Sequence, residues 1–170
     1  MHDHSFAIYG EYARTANKVM QNGLNRRLFN KREAEHGPHI RLQEDGSIRL
    51  LPGMYRMTGF STVTMQTAMT PSVVQGSNFP GYCLVYRTAD ENSGEALLAN
   101  AISIGSPTAA DALSPSVFDA ALTIDEETSI CLGHQAGDDL GGQVWLSIYQ
   151  PAGGVPSDYH AVARIAITRL

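Results

Sequence analysis

With 170 residues, 43% of them hydrophobic, the chain carries enough apolar matter to bury roughly two-thirds of its unfolded surface, so one core without disulfide or metal staples is expected. A formal charge of −5 at pH 7 argues against a nucleic-acid binder, and the basic residues are dispersed except for Arg26, Arg27, Lys31 and Arg32, a run expected to form a solvated face. Apolar stretches such as 96–99 fall far short of the ~18 residues of a membrane span, and Met1-His2-Asp3-His4-Ser5 lacks the basic start and apolar block of a secretory signal. A soluble protein without membrane insertion is expected, cytoplasmic by default or exported by a non-classical route.

In chain order, Tyr12, Ala16, Val19, Met20, Gly23, Leu24 and Leu28 recur at helical intervals, which predicts a helix over 12–27. The alternative is a long irregular first strand through Phe6 and Ile8, with Asn22-Gly23 as a hairpin turn. Residues 1–38 are thus expected to be an N-terminal segment, helical or irregular, ahead of a domain over 39–170. From His39 the punctuation comes at short intervals, and the segments between are rich in β-branched or aromatic side chains. Strands are predicted over 39–43, 47–51, 54–66, 82–87, 96–104, 117–124, 128–134, 143–150 and 160–169. Glu44-Asp45-Gly46 joins the first two as a hairpin, because Asp-Gly supplies the positive φ of a tight turn. Long connections over 67–81 and 105–116 suit Greek-key crossings, so the class is all-β and the architecture a jelly-roll sandwich.

The segment 143–150 alternates: Val144, Leu146 and Ile148 fall on one face, and Trp145, Ser147 and Tyr149 on the other. Trp145 and Tyr149 are large, cost little entropy to bury and carry a polar atom that tolerates a wet rim, which suits a subunit interface. Two stretches resemble the globular heads of the complement and tumour-necrosis-factor superfamily, the fold that adiponectin also carries. One is Gly46-Ser47-Ile48-Arg49-Leu50-Leu51-Pro52-Gly53-Met54-Tyr55-Arg56-Met57, similar to that family's strand, Pro-Gly-x-Tyr turn and second strand. The other is Gly142-Gln143-Val144-Trp145-Leu146-Ser147-Ile148-Tyr149, similar to its Gly-Asp-x-Val-Trp-Leu strand, with Gly142 where an acidic residue is often found. The resemblance implies a sandwich of about ten strands that packs as a homotrimer. It implies that Trp145 and Tyr149 meet their copies around the three-fold axis, with Phe60 as a third interface residue.

Residues with chemistry to offer are scattered. His36-Gly37-Pro38-His39 followed by Glu44 superficially resembles cupin metal ligands, but the two histidines flank a turn instead of sharing a strand face, and His134 and His160 lack the matching hairpin. His134 is expected to be satisfied by a loop carbonyl in preference to acting as a base. Asp138 and Asp139 are weak calcium ligands, with Asp90, Glu91 and Asn92 the second oxygen-rich cluster. Gln75, Asn78 and Phe79 lie in a loop whose amides and aromatic ring suit a sugar. Cys83 and Cys131 sit in apolar runs, as buried thiols or a single bridge. No catalytic residue and no cofactor is expected. The leading function is a non-enzymatic homotrimeric module for recognition or assembly, with a carbohydrate-binding protein on the same trimer and a cupin-like metalloenzyme as alternatives.

Overall fold

Alternation of buried and exposed side chains sets the architecture in the computed structural model, which describes residues 4–12, 20–65, 81–108, 115–136, 144–145 and 160–170, with backbone alone at 64–65 and 144–145. The strands are β1 (Phe6–Tyr12), β2 (Gly23–Arg26), β3 (Lys31–His36), β4 (Ile40–Leu42), β5 (Ile48–Leu50), β6 (Gly53–Ser61) and β7 (Thr64–Met65). After 81 come β8 (Tyr82–Arg87), a 3-10 turn (Thr88–Asp90), the helix α1 (Ala96–Ala99), β9 (Ser103–Pro107), β10 (Ser116–Ile124), β11 (Thr128–Ala136), β12 (Val144–Trp145) and β13 (Ala161–Arg169). One sheet runs β10-β6-β13-β1-β3, the other β4-β5-β11-β8-β9 with β2 also on β11, and β12 pairs β7 apart from both. Neighbours distant in sequence, such as β1 against β13, are the Greek-key crossings expected of a jelly roll.

The core lies between the two sheets. Ala7 and Tyr9 of β1, Tyr55 and Met57 of β6, Phe118 of β10 and Ile165 and Ile167 of β13 face Ile40, Ile48, Leu50, Val85, Ile130 and Leu132 from the opposite sheet. The exposed Met54, Arg56 and Thr58 alternate with Tyr55 and Met57 along β6, the period of a strand wet on one side. Strand β8 instead buries both faces: Cys83 and Val85 point to the sandwich, while Leu84 and Tyr86 form a smaller cluster with Leu97 and Cys131 beneath α1 and Leu24. Both cysteines are buried and unbridged. At Gly59 of β6 an added Cβ would lie 2.2 Å from the Arg164 carbonyl and 2.7 Å from the Phe118 ring, so only glycine lets that ring close on the strand.

Four expectations are corrected. The helix over 12–27 is absent where its last turn is described: Gly23–Arg26 is a strand on β11, and Gly23 at φ +86° stands where a helix cannot continue. Residues 13–19 lie outside the described residues. The described parts of the expected 1–38 arm include three strands of the sandwich itself, with β1 hydrogen-bonded between β13 and β3. The predicted strand 96–104 is α1 followed by β9, because Ala96-Leu97-Leu98-Ala99 consists of helix formers without a β-branched residue. The predicted strand 54–66 is divided into β6 and β7, and 82–87 coincides with β8.

Candidate functional site

The outer face of the β10-β6-β13-β1-β3 sheet carries several of the large apolar side chains that face solvent among the described residues. Met54 and Val117 are each 51% exposed and Phe6 43%, on β6, β10 and β1 respectively. Strand register places Ala34, Ile8, Ala166 and Thr58 side by side across four neighbouring strands, small or apolar side chains without a charge, before the row ends on Asp119 of β10. The next row brings Arg164, Phe60 and Val117 together. Charges on this face are self-paired: Arg56 bonds Asp119 at 2.7 Å, and Arg164 bonds Glu33 at 3.0 Å. Tyr12 donates to the same Glu33 carboxylate at 2.9 Å, with the Lys31 ammonium 4.4 Å above its ring. A face so arranged offers an uncharged stretch across four strands beside charges that are paired within the subunit, which suits another protein surface.

A second feature is buried. Arg27, expected on a solvated face with Arg26, is 0% exposed, because its aliphatic stem enters the end of the sandwich and its guanidinium finds oxygens there. Nη1 lies 3.2 Å from Glu11 of β1, Nε donates to the Ser61 hydroxyl at 2.9 Å, and Nη2 donates to the Thr62 carbonyl. Ser61 Oγ is in turn 2.9 Å from Nδ1 of His134 on β11, while the Arg27 amide donates to the Leu132 carbonyl. Burial pulls the guanidinium below its usual range, and the Glu11 carboxylate opposes that shift. The group joins β1, β6 and β11 across the two sheets. Ser61 and His134 have the spacing of a nucleophile and a base, yet each is fully buried and Ser61 already accepts from Arg27, so the arrangement is structural.

The remaining sequence expectations fall as follows. Phe60 is half-buried on the outer face of β6, opposite to Tyr55 and Met57. Trp145 is in β12, its backbone paired with Thr64. Tyr149, Gln75, Asn78, Phe79, Asp138 and Asp139 lie outside the described residues. His36 stacks on Phe6, whereas His39 bonds Ser5, so the two do not converge. Among the described residues no group of three His, Cys, Asp or Glu side chains is placed to hold a metal ion. No helix among them is long and apolar enough to cross a membrane. Sequence reasoning missed the Glu11–Arg27 pair. The available signal was the alternation Ala7, Tyr9, Glu11, which puts an acid in the core phase of a strand.

Strand order, core and crossings define a jelly roll of the tumour-necrosis-factor type. No protein-family model and no curated protein matches the chain. A solved structure does: murine APRIL, a jelly roll of that family, superposes with a TM-score of 0.56 over 98% of this chain and 99% of its own, at 12% identity. At that identity the likeness establishes the fold alone.

Proposed function

We propose that the protein is a non-enzymatic, homotrimeric jelly-roll module for ligand recognition or assembly. In this reading the outer face of the β10-β6-β13-β1-β3 sheet, with Phe60 in it, meets a second copy, and Trp145 and Tyr149 contribute to the same contact around the three-fold axis. The observation that carries the reading is the uncharged row Ala34, Ile8, Ala166 and Thr58, flanked by exposed Met54, Val117 and Phe6 and by ion pairs closed within the subunit. Covering those side chains gains about 25 cal/mol per Å² of apolar area, and charges already paired within the subunit offset part of their own desolvation when covered. The tumour-necrosis-factor-like fold supports the same reading, because the resemblance implies three-fold packing.

Light scattering on the purified chain tests it. The expected mass is three times 18.4 kDa. Val117→Arg and Tyr149→Arg are each expected to release monomer, because each sets an unpaired charge into a desolvated contact, whereas a half-exposed Val117 leaves the subunit fold unaffected by the change. A monomeric wild-type chain, or a trimer indifferent to both substitutions, refutes the proposal.

A further inference from the structure

The face of the second sheet that is turned away from the core carries a trough unlike the self-contact surface. Its floor is Leu24 of β2 with Leu97 and Leu98 of α1, its volume is about 320 Å³, and Glu91 and Glu95 stand on its rim. A volume near the low end of ligand sites, which run from about 300 to 1,000 Å³, takes one or two side chains and not a folded surface. Leu98 is 37% exposed. The space beside Gly94 is open, since a Cβ built on it meets nothing within 4 Å.

Charge decides what this trough accepts. Glu91 is fixed from two sides, by Arg26 at 3.2 Å and by the Tyr86 hydroxyl, which donates to it at 3.2 Å. Arg26 is shared, because its other nitrogen holds Asp45 at 3.2 Å. Asp45 and Glu91 therefore share one guanidinium, and the exposed Glu95 sits beside the apolar floor. A carboxylate rim around a leucine floor complements a side-chain pair of the opposite kind.

We propose that this trough docks a cationic amphipathic segment of a partner protein, an aliphatic side chain on Leu24, Leu97 and Leu98 with a lysine or arginine against Glu95 and Glu91. The trough is built from β2, α1 and the end of β11, and the self-contact face from the other sheet, so both surfaces work at once. The inference goes beyond assembly and stands or falls without it. Recognition here follows alternate side chains and an electrostatic fit, as in other short peptide grooves.

The test uses fluorescent synthetic peptides with the intact chain: an alternating Lys-Leu peptide, its Glu-Leu counterpart and its Lys-Ser counterpart, read by anisotropy, with light scattering recording the oligomeric mass in parallel. The Lys-Leu peptide is expected to bind and the other two to bind at least tenfold more weakly, about 1.4 kcal/mol. Glu95→Lys and Leu98→Ser, both at exposed positions, are each expected to weaken the Lys-Leu peptide about tenfold. Glu126→Lys makes the same change of charge at the exposed turn before β11, at the far end of that strand from the trough, and is expected to leave binding intact. Equal binding of the Lys-Ser peptide, equal loss in Glu126→Lys, or no binding of any peptide overturns the proposal, whatever mass is found.

Discussion

A guanidinium withdrawn from water has to be met by oxygens, and at Arg27 a carboxylate, a hydroxyl and a carbonyl meet it. Such a pair contributes little net stability when intact, because desolvation offsets the attraction, but removing one partner strands a buried charge. Arg27→Met is accordingly expected to cost about 3–5 kcal/mol, through the exposed need of Glu11 and the lost donors to Ser61 and Thr62. The double variant Glu11→Leu with Arg27→Met is expected to lose less than Arg27→Met alone, since the uncompensated carboxylate goes with it. Denaturant unfolding of the cycle decides: a double variant as unstable as the sum of its parts shows the two side chains to be uncoupled. The pair was hard to read in advance. Arg26 and Arg27 are adjacent and chemically alike, and only the strand phase of β1, which turns Glu11 inward, separates the buried one from its neighbour.

Elements were legible wherever one chemical rule acted alone. The Asp45-Gly46 turn between β4 and β5 was readable because a positive φ is needed there and Gly46 provides it, at +80°, with the Asp45 carboxylate accepting from the Ser47 amide at 2.9 Å. Strand β8 was readable because its apolar run is bounded by Gly81 and by the turn at Thr88. Reading failed where the apolar pattern served two purposes: Leu97 packs on the outside of a sheet from a helix, so its run imitated a strand. The helical spacing near the N-terminus likewise combined Tyr12 of β1 with Gly23 and Leu24 of β2. Gly59 adds a requirement invisible in any pattern, since nothing in the sequence states that the Phe118 ring crosses it. Gly59→Ala is expected to destabilise the chain by about 1–3 kcal/mol through overpacking, lowering the thermal midpoint by about 2–12 °C. A compensating Phe118→Leu in the same chain is expected to recover part of that loss. Calorimetry showing no change in Gly59→Ala would mean that β6 and β10 separate at little cost.

At the scale of the whole molecule, both sheets rely on phenols that stay protonated. Tyr9 of β1 donates to Glu35, Tyr55 of β6 to the Leu51 carbonyl at 2.6 Å, and Tyr86 of β8 to Glu91. Burial raises all three above the ordinary tyrosine range, and at Tyr9 the Glu35 carboxylate raises it further. The sign follows from which state binds more protons. Below the unfolded value near 10 both states are protonated and the full stability is present. Above it the unfolded chain sheds protons that the native state retains, so stability falls as pH rises, by about 1.4 kcal/mol per pH unit for each such tyrosine. Together the three draw down a domain stability of about 5–15 kcal/mol on the alkaline side of the unfolded tyrosine value. The chain is therefore expected to unfold there in one cooperative step, with the tyrosinate absorbance of these residues appearing together with the loss of sheet circular dichroism. Tyr55→Phe, which keeps the ring in the core and removes one ionisable hydroxyl, is expected to flatten the alkaline limb and to move its midpoint upward, despite losing about 1 kcal/mol of hydrogen bonding near neutral pH. Phenols that titrate while the sheets persist would mean that solvent reaches the hydroxyls of Tyr9, Tyr55 and Tyr86 within the folded sandwich.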